Sequence, residues 1–349
     1  MAYASHLPLK RVKAIVTNWC LQERQPLSRL FTSLPARAEA RLALTEEEKQ
    51  GIRTAGARVA HYQAWLTFLA SKGIRVINRS ELGYPAALSH YLPTSAQPLL
   101  LFTYGNLALL RCASVAIVGA QSAATEVVET ARDVATLLAE AGLAVVTGLG
   151  KGVGRAVSDG ALSARNGQVI AVLPVGIQHA LGLSQPLMDA VRQERALLLS
   201  PFHPNSRFTP TQALARTRLI GALADILLVM EADETGVERD MARLALHHNK
   251  MVCVWDAEGG DNLSPAGNRA LLETGGLPIS DISDVLDLVD ALRGTDTGQA
   301  PYEPGNPPLP EARADEAAAT FNPDSTLELL ARCGRVPEAL MRRLGHRLA

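Results

Sequence analysis

The chain has 349 residues, 47% of them hydrophobic, enough apolar material for one large or two ordinary cores without covalent staples. Lys and Arg number 34 against 35 Asp and Glu, which excludes a uniformly basic protein and leaves any attraction to a polyanion to local clustering. The four cysteines, Cys20, Cys112, Cys253 and Cys333, stand far apart with no C-x-x-C pair, which argues against a disulfide framework and against a zinc site.

Residues 1–94 read as a small helical domain. The N-terminal stretch MAYASHLPLKRVKAIV lacks a long apolar segment behind its basic residues, and no run of about 18 apolar residues occurs anywhere. No membrane span is therefore expected, and a cytoplasmic location is. Thr45-Glu46-Glu47-Glu48 has the form of a capped helix start, and Val59 to Leu66 continues with helical periodicity. A short strand at Ile74–Ile77 and an apolar run at Pro98–Phe102 follow.

Residues 95–292 read as the main domain. From Ser114 onward, strand-like and helix-like segments alternate with short connections, the pattern of an α/β fold with a doubly wound, mostly parallel, Rossmann-like sheet. The predicted strands Val115–Val118, Ala144–Val146, Val169–Leu173, Ala196–Leu199, Ile226–Met230 and Met251–Trp255 are apolar without alternation, as burial between two helical layers requires. Glu126–Glu140 and Glu238–His248 have helical spacing, and Asp284–Val289 is expected to close the domain as a helix. Residues 293–325, rich in proline, glycine and acid, read as a disordered linker, and 326–349 as a short basic helical tail.

The chemistry concentrates at strand ends. Val145-Val146-Thr147-Gly148-Leu149-Gly150-Lys151-Gly152-Val153-Gly154 runs from a strand through alternate glycines, with one lysine among them, into a helix. At the carboxyl edge of a parallel sheet, such a turn brings bare backbone and unpaired helix-start amides close to an anion, and Lys151 adds a point charge. The spacing misses both G-x-G-x-x-G and G-x-x-x-x-G-K-[ST], which disfavours NAD and ATP, and no cofactor is expected. Ile117-Val118-Gly119-Ala120-Gln121-Ser122 ends a neighbouring strand in the same manner and should flank the same crevice. Arg207, Arg216 and Arg218 form the strongest local basic cluster. Glu231, Asp233 and Glu234 gather at another strand end, where capping of the next helix is favoured over acid–base work. Trp65 reads as packing, and no aromatic stacking platform is evident.

The order of these segments resembles the DprA family of DNA-processing proteins, also called Smf. The resemblance rests on Tyr84-Pro85-x-x-Leu88, Leu101-Phe102-x-x-Gly105-Asn106, Val115 to Gly119, Thr147 to Val153, Gly160-Ala161-Leu162, Ile170 to Leu173, Arg216-Thr217-Arg218-Leu219-Ile220, Val229 to Ala232 and Gly267-Asn268-Arg269. It implies a non-catalytic, homodimeric protein that binds single-stranded DNA and helps to load a RecA-type recombinase. Gly119, Gln121, Ser122, Gly148, Gly150, Lys151, Gly152, Arg207, Arg216 and Arg218 would then hold phosphates. Lys151 stands where the family usually has arginine, and Arg216 and Arg218 keep the outer residues of its R-N-R motif around Thr217. Gln121 replaces the arginine of the family's G-S-R loop, while Gly154 and Ser158 replace an acid and a histidine. Two alternatives follow from those departures: a DprA-like regulatory or antitoxin component of an antiphage module that binds a toxin partner, or a nucleotide hydrolase of the phosphoribohydrolase type.

Overall fold

A computed structural model describes residues 6–32, 36–182, 184–256, 265–281, 284, 285 and 287. The linker and tail expected over 293–349 lie outside the described residues, as does most of the closing helix expected at Asp284–Val289.

Five helices open the chain: α1 (Leu9–Val16), α2 (Ser28–Thr32), α3 (Ala36–Leu42), α4 (Glu46–Ala57) and α5 (Val59–Ser71). Ile15, Trp19, Leu30, Leu42 and Ile52 bury a small core between them. The start of α4 is a full capping box, in which Thr45 Oγ1 accepts from the Glu48 amide and Glu48 Oε2 accepts from the Thr45 amide at 3.0 Å. Glu48 also receives Arg11 Nη2 at 2.9 Å, and the same nitrogen donates to Leu42 O, so one arginine ties α1, α3 and α4 together.

The remaining elements are β1 (Ile74–Asn78), α6 (Ala86–Tyr91), β2 (Leu100–Gly105), β3 (Ser114–Gly119), α7 (Thr125–Glu140), β4 (Ala144–Thr147), α8 (Val153–Ser163), β5 (Gln168–Val172), α9 (Gln185–Arg192), β6 (Ala196–Ser200), α10 (Pro210–Leu223), β7 (Ile226–Glu231), α11 (Val237–His247), β8 (Met251–Trp255), α12 (Ala266–Glu273) and β9 (Leu277–Ile279). They form a nine-stranded sheet in the order β1-β2-β6-β5-β4-β3-β7-β8-β9. The seven strands from β6 to β9 are parallel, while β2 runs antiparallel to both of its neighbours. Chain winding reverses between β3 and β7, the arrangement that opens a crevice at the carboxyl edge. The sheet begins at Ile74, ahead of the boundary at 94 expected from sequence, because Ile74 to Asn78 pair with Tyr104 to Leu100 rather than with the helices before them.

Burial explains the strand composition. One face packs Val115, Ile117, Val145, Val169 and Leu198 under α7, α8 and α9; the other packs Ala116, Val146, Ile170, Leu199 and Val229 under α6, α10 and α11. Successive side chains point to opposite faces, and both faces are covered, so the parallel strands carry polar residues only at their ends, as at Ser114, Thr147 and Ser200. Trp65 of α5 stacks on His203 at 5.3 Å and 11°, tying the helical region to the segment after β6, and burial lowers the His203 pKa. The C-terminus of α10 is capped from outside: Lys250 Nζ donates to the carbonyls of Gly221, Ala222 and Ala224 at 2.7–2.8 Å. Burial pushes the Lys250 ammonium down to about 8.

Candidate nucleic-acid interface

The crevice is built from the ends of β3, β4 and β7. Thr147, the last residue of β4, staples the glycine turn: its hydroxyl donates to Gly154 O at 3.3 Å and accepts from the Leu149 amide at 3.4 Å. Leu149 then takes φ +56° and Gly152 φ +60°, and the chain enters α8 with no side-chain cap. The first helical bonds of α8 run from Arg155 and Ala156 to Gly152 O at 3.1 and 3.2 Å. The amides of Gly150, Lys151, Gly152 and Val153 find no acceptor among the described residues. Unpaired donors at the positive end of a helix are a seat for an anion.

Each glycine of the quoted stretch has a different reason. A β-carbon on Gly148 would lie 2.8 Å from Arg216 Cζ, because that guanidinium packs flat over it. On Gly152 it would lie 2.5 Å from Gln121 O and 2.9 Å from Ala120 O, so the β3 and β4 loops touch there, as their sequences led one to expect. Gly150 faces open space, with nothing within 4 Å, and Gly154 meets only Leu149 C, at 4.0 Å. Gly119 makes room for Val153, the first residue of α8. Gly148 and Gly152 are thus required by close contacts, while Gly150 faces open space and a β-carbon on Gly154, inside α8, would meet no close neighbour.

The cations divide. Lys151 is exposed at the tip of the glycine turn, and Gln121 and Ser122 are exposed beside it. Arg216 is half-buried and donates through Nη1 to Gly148 O at 2.8 Å, leaving Nε buried with no acceptor among the described residues. Burial lowers the Arg216 pKa while the charge of Glu238 opposes the shift; a guanidinium stays protonated regardless. Burial in turn raises the pKa of Glu238. Arg218 is exposed two residues further along α10, about 200° round the helix from Arg216, and Arg207 is exposed ahead of the helix start. The structure therefore brings Arg216 onto the glycine turn and leaves Arg207 and Arg218 as separate surface charges. Arg216 acts first on the loop itself, by holding the Gly148 carbonyl.

Two further features were not read from sequence. Phe208 is 59% exposed next to Arg207, just before α10, an aromatic ring presented to solvent by the helix that carries Arg216. The signal was present in Arg207-Phe208 but is no different in sequence from a buried pair. The second is Asn268, fully buried in α12: its Oδ1 accepts from the Ala232 amide at 2.8 Å, and its Nδ2 donates to Met230 O and Trp255 O at 3.1 and 2.9 Å. It clamps the ends of β7 and β8. The capping expected of Glu231, Asp233 and Glu234 is not made, since α11 starts from Gly236 without a side-chain cap and its first-turn acids are Glu238 and Asp240. Glu231 contributes its carbonyl, which accepts from the Ala120 amide at 3.0 Å and joins the β7 and β3 ends. Among the described residues no group of three or more His, Cys, Asp or Glu could hold a metal ion, and no helix is long and apolar enough to cross a membrane.

The model of the family described as DNA recombination-mediator protein A matches residues 75–290, from β1 past β9. The DNA processing protein DprA of Streptococcus pneumoniae is 29% identical over 190 residues, 54% of this chain, and the alignment spans 66% of that relative's own length. Its crystal structure superposes with a TM-score of 0.62 at 23% identity, covering 81% of this chain and 94% of the other. DNA processing protein A of Helicobacter pylori, a protein with a single-stranded DNA binding mode, superposes with a TM-score of 0.50 at 24% identity, covering 63% and 95%. A family match that runs through all three loops of the crevice and the whole parallel sheet leaves one conclusion: this chain belongs to the DNA recombination-mediator protein A family of DprA-type DNA-processing proteins.

Proposed function

We propose that this protein binds single-stranded DNA without catalysis, seating a backbone phosphate on the free amides of Gly150 to Val153 with Lys151 closing over it. The observation that carries the reading is that row of unpaired donors at the start of α8. Backbone amides and point charges contact phosphates without regard to sequence. The likeness to the single-stranded-DNA-binding protein of Helicobacter pylori supports it. Arg216 preorganises the turn and offers its buried Nε, while Arg207 and Arg218 supply outer charge. A role in loading a recombinase and assembly as a homodimer follow the family likeness, and a cytoplasmic location follows the spacing of the cysteines. No observation among the described residues favours the toxin-binding or hydrolytic alternatives.

The test is anisotropy of labelled oligothymidylate across a salt series. Log affinity should fall with log salt by about 0.7 per phosphate contacted, and Lys151→Ala should lower the slope by about 0.7 while weakening binding on all sequences alike. A slope that Lys151→Ala leaves unchanged would remove Lys151 from the interface, and a flat salt response in the native protein would remove the reading. Phe208→Ala should weaken binding by about 1–3 kcal/mol with the salt slope unchanged, as loss of one base stack does. If the slope falls instead, the ring serves only to position Arg207.

A further inference from the structure

The helical region meets the sheet edge at a second place where positive charge is left uncompensated. Lys13 of α1 reaches across to Ser95 O at 2.8 Å. Arg79 directly follows β1, its amide held by Leu99 O at 3.0 Å, and its half-buried guanidinium keeps Nη1 buried with no acceptor among the described residues. Lys13 binds Ser95 O and the Arg79 amide binds Leu99 O, four residues apart on one segment, so α1 and the end of β1 meet there; burial lowers the pKa of both cations, and the charge of Arg79 lowers that of Lys13 further. Glu81, the nearest acid along the chain, accepts from the Asn78 side-chain Nδ2, and no ion pair among the described residues engages either cation. Two like charges withdrawn from water without a counter-ion oppose each other, and an anion between them would reverse the sign of that interaction.

The position of the pair says which anion. Because β2 is antiparallel to both β1 and β6, β1 runs parallel to the central strands and its carboxyl end, Asn78–Arg79, lies on the same sheet edge as the glycine turn after β4. Four strand spacings separate β1 from β4, about 19 Å at about 4.8 Å each. That is a span of about six nucleotides at a stacked rise of about 3.4 Å.

We propose that Lys13 and Arg79 form a second phosphate seat, which takes a backbone phosphate of the same single strand whose other phosphate rests on the glycine turn. The inference rests on the single-strand reading above. It assigns the helical region a direct part in holding DNA, and it makes affinity depend on strand length in a stepwise manner.

The experiment compares four- and fifteen-nucleotide oligothymidylates on the full chain, with Lys13→Gln/Arg79→Gln and each single variant, after melting curves show which variants fold. The double variant should bind the fifteen-mer about tenfold more weakly, with the salt slope lowered by about 0.7, and bind the four-mer as the native protein does. Lys151→Ala should weaken both lengths, which separates the two seats. Unchanged fifteen-mer affinity, or equal loss on both lengths, overturns the proposal. A parallel arm measures thermal stabilisation by inorganic phosphate against chloride at equal ionic strength, which reads the seat even if no oligonucleotide binds. Stronger stabilisation of the native protein than of Arg79→Gln, without length dependence on DNA, would show a free-anion seat only and overturn the DNA path. Equal stabilisation of both would remove the seat altogether.

Discussion

Asn268→Ala should lower the unfolding free energy by about 4 kcal/mol, a large share of the roughly 5–15 kcal/mol that holds a typical domain together. Its carboxamide satisfies one amide and two carbonyls, Ala232 N, Met230 O and Trp255 O, at a site with no solvent exposure. Truncation removes the side-chain partner of three backbone groups, each loss costing about 1–3 kcal/mol where no other partner replaces it. Asn268→Asp keeps the size and the acceptor but loses both donations and buries a carboxylate, so it should do no better. Urea denaturation reads the effect as a lower midpoint at unchanged m-value. A loss under about 1 kcal/mol for Asn268→Ala would mean that the ends of β7 and β8 do not depend on this clamp. The consequence reaches the crevice, because Ala232 leads into the loop that faces the glycine turn and Glu231 O holds the β3 loop through Ala120.

That clamp shows where reading a sequence stops. The central strands were legible because burial on both faces removes polar residues from them, and helix lengths followed from periodicity and from the Thr45 capping box. The glycine turn was legible as a strand-to-helix connection because strand, bare backbone and helix follow each other along the chain. Contacts that join distant segments were not. Gly267-Asn268 was visible as a motif, but nothing local says that its carboxamide bridges two strand ends 36 and 13 residues away. The direction of Arg216 was equally hidden: a helix face gives spacing, and only the fold shows that Gly148 is bare so that this guanidinium can lie on it. Strand β9 has three residues with a proline in the middle, Leu277-Pro278-Ile279, too short to read against turn-like neighbours. The place of β1 at the sheet edge depends on pairing with β2, a register that composition does not fix.

The second large effect is expected at Gly152, and a neighbouring glycine supplies its control. Gly152→Val should cost about 3 kcal/mol and weaken oligothymidylate binding at least about tenfold. The residue sits at φ +60°, a conformation that β-branched side chains avoid, and its β-carbon would press on Gln121 O at 2.5 Å and Ala120 O at 2.9 Å. Both contacts are backbone, so the relief must be a separation of the β3 and β4 loops, which moves the free amides out of line. Gly154→Ala tests whether the cause is this contact or merely any methyl group in the motif. Gly154 lies inside α8, has no positive φ and would place its β-carbon 4.0 Å from the nearest atom, so alanine there should raise stability by about 0.5–1 kcal/mol with binding unchanged. Urea denaturation and anisotropy on the same two variants read both quantities. If Gly152→Val bound DNA as tightly as the native protein, the seat would not depend on the contact between the two loops, and the phosphate would have to lie elsewhere on the sheet edge.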